Sequence, residues 1–126
     1  MTRPRSLAEV AAWSTDRRTF HYHLADFLDE ARRERSRSAL EDEPALLGDH
    51  FAGGDVADAY LGAVAVALAR ELGAAPPVWA WHARRKLSKP WFAHPGPRLR
   101  AMLLAESPAP FRERNLFVSA NALSRA

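Results

Sequence analysis

Ten successive residues from 60 to 69, YLGAVAVALA, carry no charge, in a chain of 126 residues of which 26% are charged. A stretch this apolar must be wrapped by whatever surrounds it, so the rest of the chain is organised around it. It lies within DVADAYLGAVAVALARELG, residues 55 to 73, whose ends carry helix signals. Asp55 is placed as an N-cap and Asp58 adds negative charge in the first turn. Gly73 is placed to turn left-handed just past the last turn. The alternation in AVAVALA also fits a strand, but alanine's strong helix preference, the length of the segment and the end signals favour a helix over 55–72.

The helices that cover it can be read on either side. Ser6 and Glu9 have capping-box spacing ahead of Leu7, Val10 and Ala11, giving a short helix that ends near Trp13. Ser14, Thr15 and Asp16 offer caps to a longer helix. In it Phe20, Leu24, Phe27, Leu28 and Ala31 form one stripe, expected to pack on the central helix. Arg32, Arg33, Arg35 and Arg37 then read as a solvated helix end rather than a phosphate patch, because Asp29, Glu30 and Glu34 dilute their field. Pro44 suits the first position of a single helical turn over 44–47, closed by Gly48, and Gly53 and Gly54 give a flexible entry to the central helix.

After Gly73 the chain becomes rich in proline and holds three of its four tryptophans. Pro76 and Pro77 can open a short helix with Val78, Trp79, Trp81 and His82, and Trp79, Trp91 and Phe92 are expected to fold back onto the central helix as a lid. From Pro97 a helix with an apolar stripe of Leu99, Met102, Leu103 and Ala105, flanked by Arg98 and Arg100, is expected, broken at 107–110. Phe111 follows in a turn, Leu116 to Val118 form an extended run with no evident strand partner, and Ser119 can cap a last helix through Leu123. The fold class read from this pattern is all-α, a single-domain bundle of about five helices spanning 1–126, with proline-rich irregular connections.

The net charge of +3 hides an asymmetry. Residues 1–80 hold nine arginines and no lysine against thirteen acids, a net of −4, whereas residues 81–126 hold nine cations against Glu106 and Glu113, a net of +7. Such a basic third can face an acidic partner, nucleic acid or the acidic half of its own chain. With no cysteine there is no disulfide framework. No apolar run reaches the roughly 20 residues of a spanning helix, and the N-terminus lacks a convincing cleavage site, so a cytoplasmic location away from membranes is expected.

Sites for chemistry are scarce. His21 and His23 are two apart, which on a helix points them in different directions, and there is no H-E-x-x-H and no cysteine ligand. Asp49, His50 and Asp55 could converge near the glycine loop as metal ligands, against the simpler reading of a loop histidine beside helix caps. Arg17 and Arg18 stand at four-to-six-residue spacings before His23, a pattern found in some small helical ribonucleases, but composition alone yields about two such matches and two are present. Asp55 would repel a phosphate from the Gly53-Gly54 turn, and no G-x-S-x-G elbow is present. No catalytic residue, cofactor or metal is therefore assigned. The remaining feature is the mixture of Trp81, Arg84, Arg85, Trp91, Arg98 and Arg100. It suits a Trp- and Arg-rich protein interface or base stacking with phosphate neutralisation, against the alternative that the aromatics are core ringed by charge.

The order FHYHLADFLDE, EPALLGD, DAYLGAVAVALARELGAAPPVW, KPWF and LRAMLLAESPAPFRERNLFVSANALSRA covers nearly the whole chain. It resembles a group of small helical proteins, mostly actinobacterial, encoded beside nucleotidyltransferase-like toxin genes. The resemblance implies a companion protein, antitoxin-like, that occludes such an enzyme. It supplies no catalytic residues, and Arg112, Arg114 and Asn115 are the basic surface expected to meet the enzyme's acidic metal-binding face. The expectation is a non-catalytic binding protein. The alternatives are a nucleic-acid-binding helical module using the basic third and, further off, a small helical enzyme with a histidine-based site.

Overall fold

In a computed structural model that describes residues 2–123, the chain forms six α-helices, two 3₁₀ turns and one two-stranded parallel ladder. The helices are α1 (Leu7–Trp13), α2 (Arg17–Glu34), α3 (Ser38–Glu41), α4 (Gly54–Glu71), α5 (Pro97–Glu106) and α6 (Ala109–Arg112). The 3₁₀ turns cover Val78–Trp81 and Ala83–Arg85, and the strands are β1 (Trp91–Phe92) and β2 (Leu116–Phe117). The helical reading of the uncharged segment holds. Every residue of 57–66 in α4 is buried, and of residues 60–69 only Ala67 is half-buried.

Local chemistry sets the first two helices. Ser6 Oγ accepts the Glu9 N–H at 3.1 Å, and Glu9 reaches back to the Arg5 N–H at 3.0 Å. At α2, Asp16 accepts the Thr19 N–H at 2.8 Å while Thr19 Oγ1 accepts the Asp16 N–H at 3.0 Å, a reciprocal cap. Phe20, Leu24, Phe27 and Leu28 are buried in the core as the stripe predicts. The helix closes at Arg35, in the left-handed region at φ 51°, and Arg32 and Arg33 are exposed at its end.

Four expectations are corrected. Residues 44–47 are not a helical turn. The backbone of this loop is claimed by side chains from elsewhere, with the Pro44 carbonyl accepting from Arg85 and the Leu47 and Gly48 N–H groups donating to Asp58 at 2.6 and 3.0 Å. The one-turn helix forms earlier instead, at α3. Asp55 is not the cap of α4, which starts at Gly54 with Gly53 as N-cap, and Asp58 is a buried acceptor rather than a solvated first-turn charge. The run at 116–118 does have a strand partner: Trp91 pairs with Leu116 and Phe92 with Phe117, and the two phenylalanine rings stack at 5.0 Å. Among the described residues no helix follows Ser119, whose Oγ accepts the Asn121 N–H in a series of turns that runs to residue 123.

Around α4 pack α2, both 3₁₀ turns, α6 and β2, while α1 lies on α2, and α5 leans on β2. The 44–48 loop crosses the start of α4 so closely that a Cβ on Gly54 would lie 1.9 Å from the Leu47 carbonyl oxygen. Backbone, not a movable side chain, occupies that space. Gly54→Ala is expected to cost 3 kcal/mol or more, roughly the upper range for overpacking, despite a helix-propensity gain of about 1 kcal/mol; urea denaturation of the variant measures it.

Candidate interaction surface

The basic third divides into cations that are taken inside and cations that are left out. Arg85 (1% exposed) and Arg114 (3%) are inside. Both pass over Gly62 of α4, where a Cβ would sit 2.9 Å from Arg114 Nε and 3.1 Å from Arg85 Cβ, so a residue without a side chain makes the passage possible. Arg85 donates to the Pro44 carbonyl, lies 3.5 Å from the Asp58 carboxylate and sits 5.0 Å from the centroid of the Trp79 ring. Arg114 donates to Pro110 O at 3.0 Å and Ala80 O at 2.7 Å, and its guanidinium sits 5.0 Å from the centroid of the Trp81 ring. Burial pushes both guanidinium groups below their ordinary pKa, opposed at Arg85 by Asp58 and at Arg114 by Glu113. Burial pushes the Asp58 carboxyl up, opposed by the Leu47 and Gly48 N–H groups and by Arg85.

These two residues are therefore withdrawn from the expected partner surface. Asn115 is also committed to structure. It is left-handed at φ 63°, half-buried, and its Nδ2 donates to the Leu87 carbonyl at 2.7 Å. Arg84 is exposed and pairs with Asp49 at 3.5 Å, and Arg112 is exposed while donating to the Ser107 carbonyl at 2.8 Å. Trp91 is half-buried under the Arg17 guanidinium. Of the expected lid, Trp79 is buried and its Nε1–H donates to Leu40 O at 2.9 Å, while Phe92 lies on Phe117 rather than on α4. Arg98 and Arg100 are exposed on α5, Arg100 lying 5.2 Å from the Phe92 centroid.

What lies outside is more apolar than the sequence reading expected. Trp81 is 55% exposed, its indole braced from beneath by Arg114. The predicted stripe of α5 is corrected as well: Leu103 is buried, but Leu99, Met102 and Leu104 are 42%, 52% and 50% exposed. At about 100° per residue, Pro97, Ala101, Met102, Leu104 and Ala105 share the half of α5 opposite Leu103, all exposed, with Arg98 the one charge among them. The signal was present in PRLRAMLLAE, where apolar residues occupy both sides of the helix and one stripe cannot hold them all. Val78, in the 3₁₀ turn that opens the proline-rich segment, is 87% exposed.

The histidines are dispersed. His23 packs edge-on against Trp13 and His82 Nδ1 accepts the Arg84 N–H, while Asp49, His50 and Asp55 form no ligand set. Among the described residues no group of three or more His, Asp or Glu could hold a metal ion, and no helix is long and apolar enough to cross a membrane. No family model matches the sequence, and neither a curated protein nor a solved structure is significantly similar to it.

Removing Asp58 would leave Arg85 buried without its counter-charge and two loop N–H groups without their acceptor. Asp58→Ala is expected to lower stability by about 3–5 kcal/mol, read from the denaturation midpoint at constant m-value.

Proposed function

We propose that this protein acts by binding a protein partner in the cytoplasm, through the outer face of α5 and the braced Trp81, and that it carries out no chemistry of its own. The observation that carries this reading is α5, a ten-residue helix with a single buried side chain and an outward half made almost wholly of apolar residues. Three large aliphatic side chains left half in water on one short helix gain free energy when a second surface covers them. An exposed tryptophan held in place by a buried arginine loses little freedom on docking, which suits an interface anchor.

The resemblance to companions of nucleotidyltransferase-like toxins names the partner class, and the reading is antitoxin-like occlusion of such an enzyme. The cations left exposed, Arg98, Arg100 and Arg112 with Lys86 and Lys89, supply the charge to meet an acidic metal-binding face. Nucleic-acid binding is the less favoured alternative. The aromatics needed for stacking are largely committed: Trp79 is buried, Trp91 is half-buried beneath Arg17, and α5 carries no aromatic residue.

Met102→Ser with Leu104→Ser removes apolar contact from exposed positions, so stability is expected to stay within about 0.5 kcal/mol. Affinity for the nucleotidyltransferase-like toxin that the resemblance implies as partner is expected to fall at least tenfold, about 1.4 kcal/mol, by calorimetry. A complex that persists at moderate salt supports the protein interface; association only with RNA or DNA, weakening steeply with salt, overturns it. Failure of the toxin to bind the unmodified protein removes the antitoxin-like reading.

A further inference from the structure

Between α2, α4 and β1 a cleft remains open, walled by Arg17 and His21 one turn apart on α2, by Tyr60 of α4 and by Trp91 of β1, with Gly53 and Val56 behind them; Asp55, expected from the sequence to repel a phosphate from the Gly53-Gly54 turn, is exposed and does not line the cleft. Its recess has about 30 Å³ of room for a water-sized body. That space admits one or two oxygen atoms but no whole ligand. The walls are held in place by rings packed edge to face, His21 on Tyr60 at 5.6 Å and Tyr60 on Trp91 at 6.4 Å, and the Arg17 guanidinium lies 5.7 Å from the Trp91 centroid.

Two polar groups in this cleft are not paired by hydrogen bond or salt bridge with another described residue. Tyr60 is 9% exposed, lines the recess, and its hydroxyl makes no hydrogen bond among the described residues, so it is left to the solvent in the cleft. Arg17 is exposed and has no carboxylate at ion-pair distance among the described residues. Burial pushes the Tyr60 phenol up to about 12, so the hydroxyl keeps its proton as a donor throughout the physiological range. Burial, then the charge of Arg17, hold His21 below its ordinary value, which leaves a neutral imidazole able to offer one N–H.

Three donor side chains from two helices, one of them the cationic Arg17, suit an oxyanion, and a phosphate offers three free oxygens to them where a carboxylate offers two. We propose that this cleft is a phosphate-binding site, in which the recess takes one or two phosphate oxygens, Tyr60 donates its O–H, Arg17 neutralises the charge, His21 donates at the rim and Trp91 shields one side. Free inorganic phosphate and the phosphate of a mononucleotide share this chemistry, and the two are separated by the probes below.

The test is a titration of the full chain with inorganic phosphate and separately with AMP, following the His21 ring and Trp91 indole resonances by NMR, with acetate as the comparison anion. Saturable shifts of both residues are expected with the phosphates. Tyr60→Phe keeps the packed rings and is expected to weaken binding about fivefold, as for loss of one neutral hydrogen bond. Arg17→Gln, at an exposed position, is expected to weaken it about tenfold or more. Tighter binding of AMP than of phosphate identifies a nucleotide as the source, and equal binding identifies the free ion. The proposal is overturned if no saturable shift occurs by about 10 mM, if acetate acts equally, or if both variants bind as the unmodified chain does.

Discussion

The fold depends on two arginines being held inside a small helical domain. Taking a guanidinium out of water costs several kcal/mol, and among the described residues Asp58 is the one buried carboxylate at ion-pair distance from either arginine. The remainder of the compensation comes from backbone carbonyls of Pro44, Ala80 and Pro110 and from the faces of Trp79 and Trp81. Arg85 Nε and Nη1 and Arg114 Nε still have no hydrogen-bond partner among the described residues, so the arrangement is not a store of large net stability. It acts as a tie. Each arginine joins segments far apart in sequence to α4, and irregular loops that have few bonds of their own become ordered through it.

That tie also divides the surface. Arg85 and Arg114 are drawn under Trp79 and Trp81, which buries one indole and props the other in solvent. The exposed positive charge shifts toward Arg98, Arg100 and Arg112, next to the apolar face of α5. The same buried network that orders the loops therefore decides which aromatic and which cations remain available to a partner. The α2–α4–β1 cleft is lined by neither Trp81 nor any residue of α5.

Much of the helical skeleton is legible in the residue order, because its causes are local. Ser6 with Glu9, Asp16 with Thr19 and the glycine at 73, left-handed at φ 68°, act within one turn of the chain. The stripe from Phe20 to Leu28 has a single period and one face to bury. The extended segment at 44–48, the β1–β2 ladder and the burial of Arg85 and Arg114 have no such local cause. Each depends on groups between 10 and 41 positions away, as in Asp58 with Gly48, Arg114 with Ala80 and Arg85 with Pro44. Charged residues in the sequence look alike whether they end inside or outside, and only a partner brought near by folding distinguishes Arg85 from Arg84.

By itself, then, the sequence determined that a helix over the uncharged segment lies at the centre and that flanking helices cover it, since an alanine-rich, proline-free run of that length favours a helix and its apolar circumference favours burial. Tertiary structure alone decided which cations and aromatics face outward. Burial of a charge is settled by the geometry of its compensating groups, and those groups converge on α4 only once the chain has folded around it.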